Sequence, residues 1–351
     1  MTNNHLIIMA GGMGSRFWPM STPDKPKQFI DILGTGKSLL QQTVARFLPV
    51  CPVENMWIVT AGKFADTVRE QVPGLPDSHI LPEPCMRNTA PCIAYAVWKI
   101  KKKHPEANIV ISPSDHVVMN ETEFVRVIRK GLEFTAAGER ILTLGIKPTR
   151  PETGYGYIKL AAPVEEEIFR VEAFREKPDR KTAEAYLQAG GYTWNAGIFI
   201  WKASVIEQAF RKFQPELAGI FDRLEEVFFT GEEEKCIAEV YPGMRKISID
   251  YAVMEQADNV YVLPADFGWS DLGTWGTLHA LSGRDEHANA VIGSGVRLIE
   301  SSECMVFTDG GLQLVLQGLD GYIVAEHEGV LLVCKREEEQ RISEFSAGIS
   351  R

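Results

Sequence analysis

Up to about residue 200, short apolar runs of strand length alternate with segments of helical spacing, and few folds accommodate such an alternation. Leu6–Ala10 is an apolar run ending in glycines, Ser38–Leu48 has helical spacing, and Met56–Thr60 is strand-like. Ala90–Lys101 is helical, Asn108–Ser112 strand-like, Phe124–Ala137 helical, and Ile141–Gly145 strand-like again. Strands alternating with helices of this length predict βαβ units, hence an α/β fold with a Rossmann-like mixed, mostly parallel sheet. Near Asn289 the pattern changes to short β-rich runs broken by Gly and Asp, continuing to Val333. A boundary near residue 285 is therefore expected, with a larger α/β domain over 1–285 and a small all-β unit over 286–351. Some fifty residues of apolar β text cannot bury themselves, so a partial β-helix or β-roll packed on the larger domain is expected.

Composition narrows the partners. Lys plus Arg is 37 against 47 Asp plus Glu, a formal charge of −10, which repels nucleic acid and anionic membrane alike. A polyanionic ligand must then be met by a local concentration of basic groups. Apolar residues at 45% and charged residues at 24% exclude a disordered chain. No apolar run approaches a membrane span, and MTNNHLIIMAGGMGSR lacks the basic start of a signal peptide. Six scattered cysteines with no C-x-x-C pair read as a reduced, cytoplasmic chain rather than a disulfide framework or zinc site.

The first chemistry-bearing motif is Met9-Ala-Gly-Gly-Met-Gly-Ser-Arg-Phe-Trp-Pro19, followed by Pro26-Lys27-Gln28-Phe29. A strand opening into Gly11, Gly12 and Gly14 presents bare backbone N–H groups suited to phosphate oxygens. Arg16 and Lys27 add positive charge. The spacing matches neither the dinucleotide G-x-G-x-x-G nor a Walker A loop. A second stretch, Asp31-Ile-Leu-Gly34-Thr-Gly36-Lys37-Ser38, ends like a Walker A loop, but Asp31 stands where the first Gly belongs. It reads as a loop whose Ser38 caps the following helix.

Two acids follow strand-like text. Asp115 lies in Ser112-Pro-Ser-Asp-His116 and Asp271 in Gly268-Trp-Ser-Asp-Leu-Gly273. An acid at a strand's C-terminal end occupies the usual active-site edge of an open α/β sheet, and two such carboxylates suit Mg²⁺ beside phosphate oxygens. His116 is expected to hydrogen-bond structurally rather than act as a base, because phosphoryl transfer often needs none. A third group, Gly154-Tyr-Gly-Tyr-Ile158, Glu176-Lys177-Pro178 and Trp194-Asn195-Ala-Gly197, offers the inventory for gripping sugar hydroxyls with one phosphate attached. Composition alone leaves ordinary turns open as a reading of it.

The glycine loop with Arg16, Trp18-Pro19 and Pro26-Lys27-Gln28-Phe29 resembles that of sugar-1-phosphate nucleotidylyltransferases. Glu83-Pro84 with Arg87-Asn-Thr-Ala-Pro91, Ser114-Asp-His116, Glu176-Lys-Pro178, Trp194-Asn195, Ser248-Ile-Asp-Tyr-Ala-Val-Met254 and Trp269-Ser-Asp271 resemble its mannose-1-phosphate guanylyltransferase branch. The resemblance runs from about residue 5 to 340, and Ser114 and Ala196 stand where many members have Ala and Ser.

That resemblance implies a nucleotidyltransferase catalytic domain over 1–285 and the reaction of GTP with α-D-mannose 1-phosphate, giving GDP-mannose and pyrophosphate with Mg²⁺. It implies nucleotide and phosphate contacts at Ala10, Gly11, Gly12, Met13, Gly14, Ser15, Arg16, Lys27, Glu83, Asn88, Thr89 and Ser114. It implies metal binding by Asp115 and Asp271, and catalytic roles for these with Arg16 and Lys27. Lys177 would contact the sugar phosphate, and Gly156, Glu176 and Asn195 the sugar. A homodimer paired through the β-rich unit is expected. Some members continue into an isomerase domain, whereas this sequence ends at Arg351, so no isomerase activity is expected. The alternatives are transfer to another hexose 1-phosphate, or a catalytically silent nucleotide-sugar sensor. Retention of Arg16, Lys27, Asp115 and Asp271 favours the enzyme.

Overall fold

The computed structural model describes residues 3–12 and 15–347. Contacts divide the chain into two compact units. The first takes in residues up to Gly11, Val44–Ser114 and Val118–Trp269; the second takes in Gly12–Thr43, Asp115–Val117 and residues from Ser270 on.

The first unit is built on a nine-stranded sheet. Its strands are β1 (Asn4–Ala10), β2 (Met56–Ala61), β3 (Ile80–Glu83), β4 (Asn108–Pro113) and β5 (Ile141–Ile146). They continue with β6 (Tyr157–Pro163), β7 (Phe169–Arg175), β8 (Tyr192–Lys202) and β9 (Val260–Ala265). The order is β3-β2-β1-β4-β8-β5-β9-β7-β6. β1 runs parallel to both β2 and β4, and β2 to β3. β8 is antiparallel to β4 and β5, so the sheet is mixed with a parallel block at one edge.

Sequence explains the parallel block. Leu6, Ile7 and Ile8 of β1 and Ile109, Val110 and Ile111 of β4 are all buried, as strands covered on both faces require. Helix α1 (Thr89–Lys103) is buried continuously from Ala90 to Ile100, and Asn88 caps it, Oδ1 accepting from Thr89 N at 2.8 Å. It packs among Trp57, Phe210 and Phe221 in one core. Helix α2 (Glu121–Ala136) carries Gly131 against β8, where an added Cβ would lie 2.5 Å from Ile200 Cδ1. Among the described residues no helix is long and apolar enough to cross a membrane.

The second unit contains the partial β-helix. Strands β10 (Ala290–Ile292), β12 (Met305–Thr308) and β14 (Tyr322–His327) stack in parallel, as do β11 (Val296–Ile299) and β13 (Leu314–Gln317). β15 (Val330–Lys335) closes the first stack antiparallel to β14. Cys304, Val306, Leu314 and Val324 fill the coil interior. Met305, Phe307, Ile323 and Ala325 face the other way, packing with Phe17, Met20, Ile30, Ile32, Trp275 and Leu278. The compact units therefore depart from a linear split near residue 285. Apolar side chains from residues 17–39 and 275–281 belong to the same core as the outer face of the β-coil.

At the start of β1 and β2 lies a group of buried histidines. Trp57 Nε1 donates to His5 Nδ1 at 3.3 Å, and His79 stacks on Trp57 with ring centroids 3.6 Å apart. Burial, aided by neighbouring positive groups, pushes both His5 and His79 down to about 4. Their folded values lie below the unfolded one, so the unfolded state binds more protons between about pH 4 and 6.5. Each therefore contributes stability that is present above pH 6.5 and is lost as pH falls toward 4. The His79→Phe variant should retain the stack without the titration. Its stability relative to wild type should rise between pH 7.5 and pH 4 by up to about 3 kcal/mol in paired denaturant melts. A pH-independent difference would show that His79 is not held neutral.

Candidate active site

Within the second unit, one ammonium group organises the residues around Asp115 and Asp271. Pro26 leads into a single turn, Lys27–Phe29, that buries Lys27. Its Nζ donates to the carbonyls of Asp271 and Leu272, both at 2.9 Å, and pairs with Asp115 Oδ2 at 3.1 Å. An ammonium has three N–H donors, and all three are engaged. Leu272 reaches this position with φ of +44°, its N–H held by Ser270 Oγ at 3.1 Å. Burial opposes ionisation of Asp115, but Lys27 and then His116 outweigh it and hold the carboxyl below its ordinary range.

Gly12, Arg16, Phe17, Lys27, Asp115, His116, Asp271 and Gly273 line a cavity of about 330 Å³. Gln28 Nε2 donates to the Gly12 carbonyl at 3.3 Å, fixing the loop where Gly12 takes a φ of +101°. Arg16 is exposed, and Ser15 opens its short turn. Met13 and Gly14, expected to bind phosphate, lie outside the described residues. The look-alike loop behaves as the sequence predicts. Asp31 accepts from Thr35 N and Gly36 N at 2.9 and 2.6 Å, and Ser38 Oγ accepts from Gln41 N at 3.2 Å.

The first unit holds the remaining expected residues in two groups. In one, Glu83 ends β3 and accepts a hydrogen bond from the Tyr241 hydroxyl. Asn88 takes φ of +68°, and Thr89 Oγ1 accepts from Ile249 N at 2.9 Å. Burial raises the Glu83 carboxyl to about 7, against the Tyr241 hydrogen bond. Ala10 and Ser114 are buried, so they have almost no exposed side-chain surface to offer a ligand.

In the other group, Asn195 N donates to Gly156 O at 2.8 Å, and Asn195 Nδ2 donates to Asp250 Oδ1 at 3.0 Å. Lys177 has φ of +45° and pairs with Glu176 at 3.1 Å. Gly156 lies close against these side chains, since an added Cβ would stand 2.6 Å from Glu176 Oε2 and the carboxylate would have to move aside. Burial, then the Glu176 charge, raises Asp250 to about 6. Raised carboxyls favour the fold at low pH and lose that contribution as pH climbs through 6–7, opposite in sign to the histidines. Sequence reasoning assigned no role to Asp250, Tyr241 or Thr143. Asp250 lay in a quoted motif, but its partner Asn195 is 55 residues away.

These features belong to a known class. A nucleotidyl transferase family model matches residues 5–287, and the chain belongs to that family. Xanthan biosynthesis protein XanB from Xanthomonas campestris pv. campestris is 36% identical over 351 residues, covering 98% of this chain and 72% of that protein. An Escherichia coli mannose-1-phosphate guanylyltransferase is 31% identical over 345 residues, covering 96% of this chain and 73% of its own length. A solved structure described as mannose-1-phosphate geranyltransferase from Thermus thermophilus covers 98% of both chains, with a TM-score of 0.88 and 32% identity. The α/β nucleotidyltransferase fold with a C-terminal β region is thus the fold of this chain.

Lys27 supplies a test of the cavity's construction. Lys27→Met leaves Asp115 without its counter-charge and two carbonyls without a donor. It should destabilise the protein by about 2–4 kcal/mol, measured by chemical denaturation at pH 7. A loss below about 0.5 kcal/mol, the range of an exposed pair, would show that the contacts are not formed in solution.

Proposed function

We propose that this enzyme transfers the guanylyl group of GTP to α-D-mannose 1-phosphate, releasing pyrophosphate. The observation that carries the reading is the meeting of Arg16, Lys27, Asp115 and Asp271 around one cavity beside Gly12. The substrate pair is supported by the guanylyltransferase relative at 31% identity.

The attacking sugar-phosphate oxygen is already an anion, so no general base is needed. It forms a bond to the α-phosphorus as the α–β anhydride bond breaks, and the bond's electrons leave with pyrophosphate. The barrier is the approach of two polyanions and the charge on the leaving group. Arg16 and the backbone of the glycine loop hold the triphosphate. Lys27 keeps positive charge at the cavity wall while fixing Asp115 and the Asp271 backbone. Lys177 meets the sugar phosphate, and Gly156, Glu176 and Asn195 meet the ring. Glu83, Asn88 and Thr89 serve the nucleoside.

Two carboxylates are a hard oxygen donor set, which suits Mg²⁺, an ion that completes its shell with water and substrate phosphate oxygens. Among the described residues no group of three or more His, Cys, Asp or Glu side chains is placed to hold a metal by itself. Asp115 and Asp271 would hold the ion, which when bound supplies charge neutralisation at the phosphates. A homodimer is part of the same reading. Leu331 and Val333 of β15 are about half exposed on an edge strand, a surface that otherwise invites aggregation.

Pyrophosphate release across the four nucleoside triphosphates and several hexose 1-phosphates tests the assignment directly. GTP with mannose 1-phosphate should be the favoured pair, and Asp115→Asn or Asp271→Asn should lower turnover at least about a hundredfold. Normal turnover of either variant at saturating Mg²⁺ would remove that residue from the metal site. In equilibrium titrations Lys177→Ala should weaken mannose 1-phosphate more than GTP, and Arg16→Ala the reverse. Equal losses of both ligands would refute that division. No pyrophosphate with any pair would instead favour a nucleotide-sugar sensor.

A further inference from the structure

Asn195 is held at almost every polar atom of its side chain. Oδ1 accepts from Gly197 N at 3.1 Å and lies 3.2 Å from Thr143 Oγ1, whose single hydrogen it shares with Ile198 O at 3.2 Å. Nδ2 gives one hydrogen to Asp250 Oδ1 at 3.0 Å, leaving a single N–H unassigned. An ionised carboxylate only accepts, so turning the amide over would set oxygen against oxygen at Asp250. Gly197 N–H on the oxygen side and Asp250 on the nitrogen side thus fix together which way the Asn195 amide faces.

The backbone that carries Asp250 is unusual. Asp250–Met254 forms one π-helical turn, with Glu255 N donating to Asp250 O at 2.9 Å. Such turns are rare and occur often at functional sites. The widened turn also brings Glu255 round, whose Oε1 accepts from Glu176 N at 3.4 Å. One turn therefore fastens two residues assigned to the sugar, Asn195 through Asp250 and Glu176 through Glu255. Glu176 and Lys177 are the charged groups nearest Asp250, alongside the Ser248 hydroxyl.

We propose that Asp250 is a positioning residue of the sugar site, fixing the Asn195 amide so that its remaining N–H is presented to a hydroxyl of the hexose 1-phosphate. This rests on the reading of Asn195 as a sugar contact. Asp250 touches no reacting atom in the scheme. Its effect should appear in sugar affinity and should pass through Asn195.

The test is a double-mutant cycle in the full-length protein, joining Asp250→Ala, Asn195→Ala and the pair, with Asp250→Asn as the conservative variant. KM and kcat are measured for mannose 1-phosphate, with GTP affinity by calorimetry in the absence of sugar. Asp250→Ala should raise the sugar KM about 30-fold while GTP affinity stays within about twofold, the scale of a hydrogen bond to a charged group. Asp250→Asn, whose carbonyl still accepts, should return KM to within about fivefold of wild type. The double variant should be no worse than Asn195→Ala alone, because the two act as one unit. Additive losses, an unmoved sugar KM, or GTP affinity falling in parallel would each overturn the proposal. If Asp250→Ala does not fold, Asp250→Ser takes its place in the cycle. Should wild type prefer another hexose 1-phosphate, the mannose assignment fails separately. The same cycle run with that sugar then supports Asp250 if non-additive and overturns it if additive.

Discussion

Three acceptors converge on the Lys27 ammonium, and the geometry of the cavity beside Gly12 depends on them. The carbonyls of Asp271 and Leu272 and the Asp115 carboxylate come from chain segments far apart in sequence. Without a shared cation those oxygens would repel one another, and their partial burial would cost free energy. With it, Asp115 stays ionised despite burial, and Asp271 is held by its own backbone. The same contact explains the positive φ of Leu272, a conformation unfavourable for a branched residue unless its surroundings demand it.

A comparable economy governs the residues around Asn195 in the first unit. Gly156 leaves room for Glu176, Asn195 spends its carbonyl on Thr143 and Gly197, and Asp250 takes one of its two N–H groups. Each polar atom is either satisfied or held in reserve. Burial falls on the carboxyls, raising Asp250 to about 6, with the Glu176 charge adding to it, and Glu83 to about 7 against the Tyr241 hydrogen bond. These shifts favour the protonated fold, whereas His5 and His79 favour the fold when neutral. Opposite slopes over the same pH interval partly cancel, so global stability is a poor reporter of either group, and only paired variants separate them.

The elements that could be read from sequence were those whose signal is local. The helix expected over Ser38–Leu48 forms at Leu39–Phe47 with Ser38 as its cap, and the strand expected at Asn108–Ser112 forms at Asn108–Pro113. Strand β3 was missed because four residues, Ile80–Glu83, carry too little periodicity to register. Lys27, Asp115 and Asp271 were legible as charged residues beside glycines and strand ends. That Lys27 spends all its donors on the protein was not, because two acceptors are backbone carbonyls more than 240 residues away. The linear boundary near 285 had the same weakness. Phe17, Met20, Ile30 and Ile32 lie near the glycine loop in sequence, yet they share a core with Met305 and Phe307.

Charge is where the structure and the proposed reaction meet most sharply. A chain of net −10 has to accept a triphosphate and a sugar phosphate, and sequence offered Arg16, Lys27 and Lys177 as the compensating cations. Lys27 is committed to Asp115 and two carbonyls, and Lys177 is paired with Glu176. Lys27 has no N–H left to offer, and the charge of exposed Lys177 is partly offset by its Glu176 partner. Exposed Arg16 and the backbone N–H groups of the glycine loop cannot by themselves balance two polyanions. On the proposed reading the remainder would fall to a divalent ion held by Asp115 and Asp271, which would supply the missing positive charge. Magnesium would then be needed for the ligands to approach at all, and its requirement should appear in binding as well as in turnover.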